Sequence, residues 1–204
     1  GFVKNGMIIG LGTGSTVYFA VQRLGELVKT GLNIRAVSTS DWTTRLAQSS
    51  GISLISIDDV NEIDLSIDGA DENDKDFNGI KGGGGALLFE KIVALSSKRN
   101  IWIVDESKMV QKLGEFPLPV EVIPFGFKRV FKILSERNLN PVIRKKENSY
   151  YFTDSGNFIF DLHPGLLDNV EQLNEDLKLI NGVVETGLFI NVVDTVIVGK
   201  NNSV

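Results

Sequence analysis

Three stretches of the chain hold the residue types that handle protons and anions. In Gly10-Leu11-Gly12-Thr13-Gly14-Ser15-Thr16, glycines and hydroxyls stand between an apolar run and a helical pattern. Glycine lets backbone approach an anion closely, and N–H groups at a helix start, with the hydroxyls of Thr13, Ser15 and Thr16, can donate to phosphate oxygens. The dinucleotide fingerprint is not met, because Ser15 takes its third glycine position and the next strand ends in Ser38-Thr39-Ser40 rather than an acidic residue. The P-loop Gly-Lys-Ser/Thr is missing too. A tight packing turn would look the same.

Asp68-Gly69-Ala70-Asp71-Glu72 follows a short apolar strand. Ligands of open α/β sheets collect at that strand end, and Gly69 would let Asp68 and Asp71 face one crevice, which suits proton handling on a polyol. A solvated acidic turn running on through Asn73, Asp74 and Asp76 is the plainer alternative. The third stretch, Lys81 followed by Gly82, Gly83, Gly84 and Gly85, leads into Ala86-Leu87-Leu88-Phe89-Glu90-Lys91. Four glycines before a helix are costly in backbone entropy and usually persist where a ligand or another backbone comes close. Glu90 then lies in an early helical turn among Leu87, Leu88, Phe89, Ile92 and Val93. Partly apolar surroundings make a carboxylate a better base near neutrality, although a surface glutamate favouring the helix N-terminus would read alike.

The elements that must position these residues alternate. Met7 to Leu11 reads as a strand, Val17 to Lys29 as a helix, Ile34 to Val37 as a strand, and Trp42 to Ser49 as a helix capped by the Ser38-Thr39-Ser40 hydroxyls. Strands 54–57 and 65–67, helix 86–96 and strand 101–104 continue the pattern, as expected of an open, mostly parallel sheet with helices on both faces. Pro117 and Pro119 interrupt it. Beyond them strand 118–124, helix 127–138, strand 140–146, strand 149–160 with a break at Gly156-Asn157, helix 168–180 and strand 182–190 spell β-α-β-β-α-β, the ferredoxin-like order. The expected division is a Rossmann-like domain over 1–113, completed by 188–204, and a small α+β ferredoxin-like lid over 114–187.

Composition narrows the function. Apolar residues make up 42% and charged residues 23%, and no apolar run approaches the ~20 residues of a membrane span. A net charge of -5 without a basic, aromatic-studded stripe argues against nucleic acid. There is no Cys, and the single His163 stands among polar neighbours far from the three loops, so no thiolate site or His pair for a metal is present and the expectation is no metal. No secretory signal is visible, which fits a cytoplasmic setting. The sequence begins at Gly1 rather than Met and reaches an apolar strand within six residues, so residues preceding it are expected.

Taken together these segments resemble the ribose-5-phosphate isomerase A family. The likeness runs through 10–16, 68–72, 81–87 with Glu90-Lys91, Val104-Asp105-Glu106-Ser107-Lys108, 118–124, 153–157 and 182–189. It implies a metal-free, cofactor-free aldose-ketose isomerase acting on ribose 5-phosphate and ribulose 5-phosphate through a cis-enediolate, in the non-oxidative pentose phosphate pathway, as a homodimer. Position by position, it makes Glu90 the base moving a proton between C1 and C2. It sets Asp68, Asp71 and Lys81 around the sugar hydroxyls and carbonyl, with Gly69 and Ala70 between the aspartates. Thr13, Gly14, Ser15 and Thr16 hold substrate, Lys108 is a further binding lysine, and Gly82, Gly83 and Gly84 offer N–H groups to the enediolate. Phe89 departs from the Arg that many members carry, and the family's N-terminal helix, with its phosphate-holding lysine, is absent from this sequence. A sugar-phosphate-sensing regulatory domain would share the fold but has no evident need for Asp68, Asp71, Lys81 and Glu90 together; an amino-sugar-phosphate deaminase would be expected to use a histidine.

Overall fold

The computed structural model describes residues 1–200. In chain order the elements are β1 (Ile8–Leu11), α1 (Ser15–Lys29), β2 (Arg35–Ser38), α2 (Asp41–Ser49), β3 (Ser53–Leu54), β4 (Leu65–Asp68), β5 (Glu72–Asn73), β6 (Gly79–Ile80), α3 (Leu87–Leu95), β7 (Asn100–Asp105), β8 (Leu118–Val122), α4 (Phe127–Glu136), β9 (Val142–Ile143), β10 (Lys145–Lys146), β11 (Ser149–Tyr150), β12 (Phe158–Leu162), α5 (Val170–Lys178), β13 (Val183–Thr186), β14 (Leu188–Phe189) and β15 (Thr195–Gly199). They fall into two compact units. The first holds Gly1–Ala70, Phe89–Ser107 and residues 192–200; the second holds Asp71–Leu88 and Lys108–Asn191.

The first unit is a six-stranded sheet in the order β15-β7-β4-β1-β2-β3, and every pair in it is parallel. Side chains of a strand alternate between faces, so Ile8 and Ile9 feed different clusters. Ile9 and Leu11 pack with Val17, Val21 and Leu24 of α1 and Ala47 of α2, whereas Ile8 joins Val37, Ile63 and Val93 of α3. Helices therefore cover both faces. Each such apolar side chain contributes ~1.5–3 kcal/mol when fully buried. Two close approaches depend on glycine: a Cβ on Gly10 would lie 2.5 Å from Val93, and one on Gly25 of α1 would lie 2.7 Å from Ser50. From β1 the chain builds outward through β2 and β3, then returns to the other side of β1 through β4. The sheet's topological switch point is thus between β1 and β4, where a parallel sheet opens a crevice at its carboxyl ends.

The second unit contains a four-stranded antiparallel sheet in the order β13-β8-β12-β9. With α4 between β8 and β9, and α5 between β12 and β13, this is the ferredoxin-like arrangement. Leu118, Val120 and Val122 of β8 and Phe158, Phe160 and Leu162 of β12 alternate inward against Val130 and Leu134 of α4 and Leu177 of α5. A smaller antiparallel sheet, β14-β6-β5, belongs to the same unit. Several expected strands are shorter or divided. The span 54–57 yields only β3 and a 3-10 turn, Ile57–Asp59. Residues 145–150 fold into a separate ribbon of β10 and β11, which leaves β9 and β12 to the main sheet. The hairpin of β5 and β6 lies where the sequence reads as an acidic turn.

Candidate active site

In the first unit, the turn after β1 and the end of β4 meet at the switch point. Gly12 N–H donates to the Ile67 carbonyl at 2.9 Å, and Thr13 N–H to Asp68 Oδ1 at 3.3 Å. Asp68 is buried and also accepts from Gly69 N–H at 2.7 Å. Gly12 is required here, since a Cβ would sit 2.0 Å from Asp68 Oδ1. A chain of hydroxyls backs the turn. Thr13 Oγ1 donates to Ser40 Oγ at 2.8 Å, Ser40 to Thr43 Oγ1 at 3.1 Å, and Thr43 to the Gly12 carbonyl at 2.8 Å. Neutral bonds of this kind are worth about 0.5–1.5 kcal/mol each.

The Thr13 hydroxyl therefore shapes the turn from inside, while Gly14, Ser15 and Thr16 open α1. Helices α1 and α2 begin differently. Ser40 caps α2 by accepting from Thr43 N–H at 3.1 Å, as its sequence predicts, but Gly14 at the start of α1 (φ 130°) supplies no side-chain cap. First-turn N–H groups lack intrahelical partners and carry the positive end of the dipole, so the α1 terminus suits an anion. Ala70, half-buried, ends this unit's first segment. Glu90 is also in this unit, 4% exposed in the first turn of α3. Its neighbour Phe89 joins Val37, Ile55, Ile57, Ile92 and Val93 around an apolar cavity of about 300 Å³.

In the second unit, Asp71 and the glycine loop come together: Asp71 Oδ2 accepts from Gly83 N–H at 2.8 Å, and a Cβ on Gly83 would lie 2.7 Å from Asp71 Oδ1. Gly82 (φ 109°) and Gly85 (φ 80°) occupy the left-handed region, and Gly85 N–H closes a turn on the Gly82 carbonyl at 2.9 Å. Lys81 is buried; its N–H donates to the Gly187 carbonyl, and Nζ lies 5.5 Å from the centroid of the Phe189 ring. Lys108 is half-buried and ends a single 3-10 turn, Glu106–Lys108. His163 is exposed. Among the described residues no group of three or more His, Cys, Asp or Glu is placed to hold a metal, and no helix is long and apolar enough to cross a membrane.

The family pattern described as ribose 5-phosphate isomerase A (phosphoriboisomerase A) matches residues 35–203. A ribose-5-phosphate isomerase A of Lactiplantibacillus plantarum is 55% identical over 98% of this chain and 89% of its own length. Solved structures agree. Ribose 5-phosphate isomerase A of Methanocaldococcus jannaschii superposes with a TM-score of 0.92 at 41% identity, covering 98% of this chain and 89% of that one. A D-ribose-5-phosphate isomerase in complex with phospho-erythronic acid gives 0.94 at 40% identity, covering 98% and 90%. The chain belongs to the ribose 5-phosphate isomerase A family.

Within this family member, three residues that sequence reasoning passed over are tied to the site loops or to the segments beside them. Glu72 has no role of its own in the acidic stretch as the sequence reads, yet it is 3% exposed and its carboxylate accepts from Gly114 and Phe116 N–H at 2.7 and 2.5 Å. Arg144 donates to the Gly82 and Gly83 carbonyls, and Tyr151 Oη donates to that of Gly84 at 3.2 Å. Arg144-Lys145-Lys146 looks like a solvated charge run, and no spacing rule connects it to a loop some sixty residues earlier. The only available signal was the loop itself, since four glycines held in one shape need something to hold them.

Proposed function

We propose that the chain interconverts ribose 5-phosphate and ribulose 5-phosphate through a cis-enediolate. Glu90 takes the proton from C2 of the open aldose and returns it to C1, while the hydroxyl proton passes from O2 to O1, so the exchange balances without oxidant or reductant. Asp68, Asp71 and Lys81 assist ring opening and the hydroxyl proton transfer. The Gly82 and Gly84 N–H groups face the enediolate oxygens as preorganised donors, and the Gly83 N–H, donated to Asp71 Oδ2, positions that carboxylate. Gly14 to Thr16 at the uncapped start of α1, together with Lys108, hold the phosphate, and Thr13 shapes their turn. The working form is a cytoplasmic homodimer that uses neither metal nor organic cofactor.

The observation that carries the reading is Glu90: a buried carboxylate opening the helix that follows the glycine loop, in a chain of this family. Ribose 5-phosphate supplied to the protein is expected to yield ribulose 5-phosphate, and no product under any buffer or chelator condition would end the proposal. Glu90→Gln keeps the shape and removes the basicity, so it should lower kcat by at least ~10²-fold with KM nearly unchanged. Near-parent kcat in that variant would move the base to Asp68 or Asp71.

A further inference from the structure

Arg144 follows β9 in the second unit, and its guanidinium is divided between two tasks. Nε donates to Asp161 Oδ2 at 2.9 Å and Nη2 to Oδ1, a bidentate pair in which the side chains are 15% and 19% exposed. Nη1 donates to the carbonyl oxygens of Gly82 at 2.8 Å and Gly83 at 3.1 Å. Tyr151 adds a third hold on the loop through Gly84, and its ring centroid lies 5.8 Å from the guanidinium carbon. A Cβ on Gly85 would meet Tyr151 Oη at 2.2 Å, so the loop is pressed against these two side chains.

A largely buried ion pair is weak evidence for stability, because desolvation offsets most of the attraction. What distinguishes this pair is where its third nitrogen goes. A peptide unit is planar, so fixing the carbonyl of Gly82 fixes the N–H of Gly83, and fixing that of Gly83 fixes the N–H of Gly84. Glycines left to themselves would sample many orientations. A cation on the carbonyl side also polarises the peptide and strengthens the N–H as a donor.

We propose that Arg144 is a positioning residue for the isomerisation: carried by Asp161 and backed by Tyr151, it holds the two peptide planes between Gly82 and Gly84 so that the Gly84 N–H meets the charge of the enediolate already oriented, while the Gly83 N–H keeps its hold on Asp71 Oδ2. This rests on the reaction given above. Lysine is no substitute, since a point charge cannot grip a carboxylate with one edge and two carbonyls with another.

The test is steady-state kinetics of the parent, Arg144→Lys, Arg144→Ala and Asp161→Asn with ribose 5-phosphate, with a thermal melt of each. A missing oxyanion donor costs about 10²–10³-fold in kcat, and a donor that is present but poorly oriented should cost about 10–10²-fold. The expected result is a fall of that size in kcat for both Arg144 variants, KM within about threefold of the parent, and a smaller fall of the same kind for Asp161→Asn. Millimolar methylguanidinium should restore part of the kcat of Arg144→Ala, which a purely structural loss would not allow. If an Arg144 variant fails to fold, Asp161→Asn carries the test. Folded variants with parent-like kcat, or with losses confined to KM, would overturn this inference while leaving the reaction intact. An inactive parent would overturn the reaction itself.

Discussion

The turn after β1 and the loop after β6 are both built on glycine, but their backings differ in kind. Gly12 is closed in by the Asp68 carboxylate and backbone, and its carbonyl is the last acceptor of the hydroxyl chain Thr13, Ser40, Thr43. Every partner there is short and lies within the same sheet-end neighbourhood. The Gly82 to Gly85 loop has one short partner, Asp71 on the Gly83 N–H, and is otherwise held by the long side chains of Arg144 and Tyr151, reaching from sixty or more residues away. The first loop is fixed by local packing and tolerates little; the second is fixed by flexible arms and should yield more readily. A glycine-rich stretch therefore says that backbone must come close to something, and the neighbours decide how rigid the result is.

The largest effect is expected from Gly12→Ala. Its methyl would lie 2.0 Å from Asp68 Oδ1 and 2.7 Å from Asp68 Cα, so a rotamer change alone cannot relieve it. Displacing Asp68 or the turn by about 1 Å should reduce kcat/KM at least ~10²-fold. Near-parent kinetics would show the first loop to be as yielding as the second.

Gly85→Ala should be milder. The obstacle is the hydroxyl end of Tyr151, and the residual cost is a non-glycine residue at φ 80°, about 1–2 kcal/mol. A fall in kcat/KM of roughly tenfold is expected, with part of it recovered when Tyr151→Ala is combined with Gly85→Ala, because the clash is then gone and only the backbone strain and the lost Tyr151 bond to Gly84 remain. No recovery in the double variant would mean the second loop is also fixed by its own backbone.

The smallest effect concerns a buried carboxylate on β8 that belongs to neither loop. Burial pushes Glu121 above its ordinary range, and Glu185 and Asp154 add to the rise, against hydrogen bonds from Asn157 and Thr153. An acid whose folded pKa is raised contributes stability that is fully present below its unfolded value and is lost as pH rises through the folded one. Glu121→Gln should therefore raise Tm by about 2–4 °C at pH 8, the equivalent of ~1 kcal/mol in a chain of this size, and by nothing near pH 4. An equal gain at both values would point to packing rather than charge.

Legibility followed the range of the interactions. The β1-turn-α1 opening, the Ser40 cap and the β-α-β-β-α-β order were readable because period, cap and turn chemistry act over a few residues. Helix ends moved by one or two positions, and the long strands 140–146 and 149–160 were divided because Lys145 and Tyr150 pair with each other rather than with the main sheet. Asp68, Asp71, Lys81 and Glu90 stood out by type and neighbourhood. Glu72, Arg144 and Tyr151 did not, since their partners are 42 to 67 residues distant and nothing local marks a carboxylate or guanidinium that will be spent on backbone. The hairpin of β5 and β6 was hidden for the same reason: β6, which closes its stretch of Asp, Asn and Lys, takes its other partner from β14, more than a hundred residues later.

That pairing has a consequence for biosynthesis. Strand β6 hydrogen-bonds to β14 through Ile80 with Leu188 and Gly79 with Phe189, so its partner leaves the ribosome only after about a hundred more residues have been added. At ~5–20 residues per second this is on the order of 5–20 s during which one edge of the β5–β6 hairpin waits unpaired. Gly114 and Phe116, the amides that satisfy Glu72, arrive much sooner, so the early hairpin can be anchored by its carboxylate before its sheet exists. Slowing translation beyond Phe116 should lengthen the interval in which a chaperone finds that edge.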